Sequence, residues 1–103
     1  MYAIVYITTS GMEESEKIAN MLVEEKLAGC TNIIPSIKSI YLWKGEIERD
    51  SESIVLAKTR ASNLESIIKR VKEVHSYDIP CVLAIPIIQG SKDYLEWLES
   101  EIG

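Results

Sequence analysis

Residues 30–59 read CTNIIPSIKSIYLWKGEIERDSESIVLAKT, two long extended runs on either side of a Lys44-Gly45 pair. In the first run Ser39, Tyr41 and Trp43 fall on one face and Lys38, Ile40 and Leu42 on the other, the two-residue period of a strand. Gly45 supplies the positive φ that a two-residue hairpin turn requires. A turn at Lys44-Gly45 sets Trp43 opposite Glu46 and Leu42 opposite Ile47, so the apolar pair shares a face. The second run returns from Glu46 to near Thr59. Arms of about 13 residues are roughly twice the usual strand length. A small sheet cannot cover arms that long, and part of the hairpin is expected to pair outside its own domain.

The flanking segments supply the rest of the fold. YAIVYITT at 2–9 is β-branched and aromatic and reads as the first strand. Ser10 stands three residues before Glu13, the spacing of a capping box. Ile18, Ala19, Leu22, Val23 and Leu27 then recur at helical period and predict a helix over about 12–27. Gly29, just past it, occupies the expected place of a left-handed C-cap. After the hairpin, Ser62 and Glu65 repeat the capping-box spacing, and Leu64, Ile67, Ile68, Val71 and Val74 predict a second helix over about 63–75. CVLAIPII, from Cys81, is a continuous apolar strand whose Pro86 restricts it to a sheet edge. Gly90 and Ser91 start a short helix on which Tyr94, Leu95 and Leu98 share a face. The class is therefore α+β: a ferredoxin-like βαββαβ antiparallel sheet with a long central hairpin and a C-terminal helix, one domain over 1–103.

Composition narrows the functions. Hydrophobic residues form 47% and charged residues 26% of the 103 residues, a globular balance. The net charge of −5 works against nucleic acid as a partner, because phosphate binding needs clustered Lys and Arg. No apolar run approaches a membrane span, and the start, MYAIVYITTSG, reads as a strand and not as a signal peptide. Cys30 and Cys81 fit neither a disulfide scaffold nor a zinc knuckle and point to reduced thiols in a cytoplasmic protein. A soft-metal chaperone would need paired thiols in the first loop, where TTSGME has none. An RNA-recognition sheet would need exposed aromatics where EIERDSESIVLAK stands.

The segment KEVHSYDIPC (72–81) holds the chain's one histidine. His75 has two readings: an imidazolium favoured by the helix C-terminal dipole, or a metal ligand. Tyr77 and Asp78 read as anchors of the turn, and Pro80 enforces an extended Ile79. Cys81 enters an apolar strand, a poor setting for a nucleophile, which disfavours a hydrolase built on His75 and Asp78. Glu46, Glu48, Asp50 and Glu52 alternate along one strand face, either simply solvated or a weak site for hard cations.

Five segments, EEKLAGCTNIIP (24–35), SIYLWKGEIE (39–48), LAKTR (56–60), HSYDIPCVLAIPI (75–87) and DYLEWL (93–98), together resemble the CutA family of divalent-cation tolerance proteins, in order along nearly the whole chain. The resemblance implies a homotrimer whose long hairpins pair edge to edge between subunits. It also implies a non-enzymatic role in tolerance to copper or another divalent cation, with no certain cofactor. Copper ligands proposed for some members, a cysteine late in strand one and two adjacent histidines ending helix two, fall on Ile7, Val74 and His75, so His75 alone is a candidate metal ligand here. Tyr41, Trp43, Lys58, Tyr77 and Tyr94 are candidates to line a cleft between subunits, Lys58 toward an anionic ligand; interface packing is the alternative reading of the aromatics. A trimeric ligand-sensing regulator like the PII proteins and a purely architectural trimer remain alternatives. The tight WKGE turn, where PII proteins carry a mobile loop, argues against the former.

Overall fold

Alternate residues of the first and third strands sort into two faces, and the apolar one recruits the helices. A computed structural model describes residues 1–103, in the order β1 (Tyr2–Thr9), α1 (Met12–Glu24), β2 (Cys30–Trp43), β3 (Glu46–Arg60), a 3₁₀ turn at Ala61–Asn63, α2 (Leu64–Val74), β4 (Val82–Ile87) and α3 (Lys92–Glu101). The four strands form one antiparallel sheet in the order β2-β3-β1-β4. This is the ferredoxin-like α+β arrangement expected, with Pro86 on edge strand β4, where a residue without an N–H is tolerated. Val5 and Ile7 of β1 and Val55 and Ala57 of β3 pack against Ile18 and Leu22 of α1 and Ile67 and Val71 of α2. Each fully buried Ile or Leu there contributes about 1.5–3 kcal/mol through removal of apolar surface from water.

The caps differ from the sequence expectation. Gly11 is the N-cap of α1, and the Ser10 hydroxyl caps nothing; instead the Ser10 amide donates to Glu14 Oε1 at 2.9 Å. The carboxylate half of a capping box is thus made one residue later than the spacing suggested. At α2 the 3₁₀ turn takes up Ser62, and Asn63, without a capping bond of its own, turns its side-chain amide to Leu27 O and Thr59 Oγ1. Helix α1 stops at Glu24, and the left-handed residue is Lys26 (φ 58°), not Gly29. Gly29 serves close packing, since a Cβ there would lie 2.6 Å from Leu98 Cδ1 of α3.

At the hairpin turn both Lys44 (φ 52°) and Gly45 (φ 82°) have positive φ, the type I′ pattern that matches strand twist. Trp43 faces Glu46 and Leu42 faces Ile47, as read from the sequence. A β-bulge between Ile34 and Ile37 sets Pro35 and Ser36 against one residue of β3. Below it Ser53, fully buried, donates to Ile34 O and receives from Ser15 Oγ, which lies 2.6 Å from Thr9 Oγ1. That hydroxyl chain ties β1, α1, β2 and β3 together where the hairpin leaves the body.

Beyond that point the hairpin is on its own. Strand β1 pairs with β3 only from Ser53 to Arg60, so Glu46–Glu52 pair with β2 alone. The radius of gyration, 14.1 Å, exceeds the value of about 12.8 Å for a compact chain of this length, and the longest extent is 45 Å. Helix α3 folds back on the side opposite α1 and α2: Tyr2 and Arg60 bond Glu99, and Arg60 also donates to the carbonyls of Ile102 and Gly103.

Candidate functional site

The face of the sheet away from α1 and α2 carries a cavity of about 710 Å³ between the hairpin and the segment after α2. Tyr6 and Thr8 of β1 form its inner wall. Past the bulge, Ile37, Ser39, Tyr41 and Trp43 of β2 point into it, opposite Glu48, Asp50 and Glu52 of β3. Tyr77, Asp78, Ile79 and Cys81 close the remaining side.

Two phenols engage two of the carboxylates. The Tyr41 hydroxyl donates to Asp50 Oδ2, and the hydrogen bond, with burial and the nearby acids, pushes its pKa up to about 12. The Tyr77 hydroxyl donates to Glu52 Oε2 at 2.7 Å; burial, the hydrogen bond and the Glu52 charge push its pKa up strongly. Both phenols therefore stay protonated at neutral pH. Glu52 is 9% exposed, the most buried carboxylate of the chain.

His75 positions this wall. It is the C-cap of α2, its side chain fully buried. Its Nε2 donates to Thr8 O at 2.8 Å, and its Nδ1 accepts the Tyr77 amide at 3.0 Å. Since Nδ1 spends its lone pair on an N–H, this pattern describes the neutral Nε2–H tautomer and not an imidazolium acting on the helix dipole. For the same reason the 3.8 Å approach of Nδ1 to Glu14 Oε2 is not an ion pair. The Tyr77 ring lies 4.7 Å from the imidazole. Glu14 secures the segment from the other side, accepting the Ser76 amide at 2.7 Å and the Ser76 hydroxyl at 3.0 Å. Burial raises the Glu14 carboxyl pKa, but the bonds from Ser10 and Ser76 outweigh it and hold the group below its usual value.

Among the residues singled out from the sequence, Tyr41, Trp43 and Tyr77 come together at the cavity, with Glu48, Asp50 and Glu52 but without Glu46. Lys58 and Tyr94 do not join them. Lys58 lies ten residues along β3 from Glu48, about 33 Å of strand. Its Nζ sits 5.5 Å from the centre of the Tyr94 ring, beside α3. Ile7 is fully buried in the helix-side core and Val74 packs against that core, so neither offers His75 a donor group. No group of three or more His, Cys, Asp or Glu side chains is arranged to hold a metal ion. With both ring nitrogens engaged, the surroundings of His75 do not fit a metal centre as they stand. Cys30 and Cys81 are half-buried free thiols. Sequence reading missed Glu14 and Tyr6; Glu14 left one faint signal, its place four residues after Ser10 at the start of a helix.

Fold and site define a ferredoxin-like protein with a projecting, acidic and aromatic hairpin face. Residues 3–101 match the family described as CutA1 divalent ion tolerance protein. The chain belongs to that family. It is 43% identical over 102 residues to the divalent-cation tolerance protein CutA of Archaeoglobus fulgidus, covering 99% of both chains. It is 47% identical over 97 residues to the chloroplastic protein CutA of Arabidopsis thaliana, covering 94% of this chain and 53% of that protein. The chain thus spans about half the length of the plant relatives. Among solved structures, the divalent cation tolerance protein from Thermus thermophilus superposes with a TM-score of 0.97 at 42% identity, over 100% of both chains. The structure described as the periplasmic divalent cation tolerance protein CutA from Archaeoglobus fulgidus gives the same score, identity and coverage.

Proposed function

We propose that this chain is a single-domain, non-enzymatic protein that acts as a homotrimer in tolerance of divalent metal ions such as copper. One observation carries the assembly: the hairpin beyond Ser53 has two free backbone edges and exposed apolar side chains. The outer edge of β2 and the Glu46–Glu52 edge of β3 pair with nothing in the chain. Leu42 (72% exposed), Ile40 and Ile47 stand open on one face of it. Long unpaired apolar edges drive pairing with another chain. Edge-to-edge pairing of the same two unlike edges is heterologous, and such contacts form a ring when the rotation between subunits closes. The number three follows the family resemblance.

The metal role rests on the names of the relatives. Copper(II) ligation by His75 requires the Tyr77 amide to leave Nδ1, so it belongs to an opened state of the 75–81 segment. A cytoplasmic location is supported by the two free thiols. No helix is long and apolar enough to cross a membrane. Light scattering at low concentration tests the assembly, with three times the chain mass of 11.6 kDa expected; a mass of 11.6 kDa overturns it. Copper(II) titration of wild type and His75→Ala tests the ligand, and equal affinities remove His75 from the metal role.

A further inference from the structure

We propose that Thr9, Ser15 and Ser53 are positioning residues for assembly, forming one directed hydrogen-bond chain from the Gly11 amide to the Ile34 carbonyl that sets the angle at which the hairpin leaves the body. The consequence for assembly rests on the homotrimer reading; the positioning of the hairpin does not.

The three side chains are fully buried on the helix side of the sheet, beside the apolar face made by Val5, Ile7, Val55 and Ala57. Buried hydroxyls are costly unless each is hydrogen-bonded. Thr9 and Ser53 form the last rung between β1 and β3, so the chain stands where the sheet ends and the free arm begins. Each hydroxyl carries one proton. Ser53 gives its own to Ile34 O at 3.0 Å, and Ser15 gives its own to Ser53 Oγ at 2.9 Å. Thr9 then donates to Ser15 Oγ across 2.6 Å and accepts the Gly11 amide at 3.3 Å. The acceptor left out of this order, Gly11 O, lies 3.0 Å from Thr9 Oγ1 and already takes the Ser15 amide. Bonds that point the same way along a chain polarise and strengthen one another.

The chain joins two places that matter to the arm. Ser53 stands opposite Pro35 and Ser36, where the bulge interrupts the ladder and proline offers no N–H. Its bond to Ile34 O spans that gap with a side chain. At the other end Gly11 is the N-cap of α1, and the neighbouring Ser10 amide is held by Glu14, which also holds Ser76 after α2. The direction of the arm is thereby referred to both helices. Glu46–Glu52 reach about 23 Å beyond the junction, so a tilt of about 10° there moves the tip by about 4 Å, close to the spacing of about 4.8 Å between paired strands. An arm that must meet the edge of another subunit has to be aimed more narrowly than that.

Thr9→Val keeps the side-chain shape and removes the hydroxyl, and Ser15→Ala removes the middle link. Met21→Ala, buried on the same helix but outside the chain, controls for lost stability alone. Isotope-labelled and unlabelled full chains are combined, mixed assemblies are followed over time by native mass spectrometry, and amide hydrogen exchange is read at residues 37–43 and 46–52. Thr9→Val and Ser15→Ala are each expected to speed subunit mixing and outer-hairpin exchange about tenfold, the factor for one lost hydrogen bond, while Met21→Ala changes neither by more than about twofold. Wild-type rates in either hydroxyl variant, or equal acceleration in Met21→Ala, overturn the proposal. If the wild type forms no mixed assemblies, the homotrimer reading fails and hairpin exchange alone decides. Faster exchange in the hydroxyl variants than in Met21→Ala then supports the positioning role, and its absence overturns it.

Discussion

Replacing His75 with alanine separates a positioning role from a ligand role. The imidazole is fully buried and satisfies two backbone groups of different elements, Thr8 O on β1 and the Tyr77 amide after α2. Alanine leaves both without a partner, and no other side chain bonds either group. A buried backbone group left unpaired costs about 1–3 kcal/mol, so His75→Ala should lose about 2–6 kcal/mol. With an unfolding entropy of about 2.1 cal/mol/K per residue, 4 kcal/mol corresponds to a drop of about 18 °C in Tm. Asparagine places an oxygen where Nδ1 stood and reaches the amide two residues on, as Asx turns do. His75→Asn should therefore recover about half of the loss. Urea unfolding at one fixed protein concentration reads all three chains, since self-association makes the midpoint concentration-dependent. A loss below about 0.5 kcal/mol in His75→Ala, or equal losses in both variants, would refute the reasoning.

Glu14 predicts an acid-side weakness of the same segment. Its folded pKa lies below the unfolded one, so its contribution is complete above the unfolded pKa and is lost as pH falls through the folded pKa. Glu14→Gln should flatten the acid limb of a stability-pH profile and speed exchange of the Ser76 amide at neutral pH; an unchanged acid limb contradicts this. Gly29→Ala should cost about 1–3 kcal/mol through overpacking against Leu98 Cδ1, and Leu98→Val should remove most of that added cost in a double-mutant cycle.

The hairpin was legible because its signals are local. Alternation in Lys38–Trp43 and a Gly at the turn determine register without knowledge of the rest of the chain. The caps were misread for the opposite reason. Ser10 and Ser62 have the right spacing, but the acceptor at α1 is Glu14, which also answers to Ser76 across a gap of 62 residues. Gly29 looked like a helix stop because glycine is the usual left-handed residue; its real constraint, Leu98, comes from the last helix. The cavity shows both cases. The alternation of Glu48, Asp50 and Glu52 was visible, whereas their pairing with Tyr41 and Tyr77 depends on cross-strand register and on a segment that reaches them only after α2.

The bulge between Ile34 and Ile37 fixes a parity. Before it, the even-numbered residues of β2 lie on the face away from α1 and α2; after it, the odd-numbered ones do. Because Pro35 and Ser36 together stand opposite one residue of β3, Tyr41 and Trp43 keep the face of their partners Glu48 and Glu46, and of Asp50 and Glu52, in spite of the extra residue. Length changes in the outer hairpin are consequently of two kinds. Removing one residue at Pro35-Ser36 would straighten the strand and leave every face where it is, whereas removing one facing pair beyond it would turn the rest of the arm over relative to the body. The arm keeps its faces when it changes by two facing pairs at a time, and a single pair inverts it.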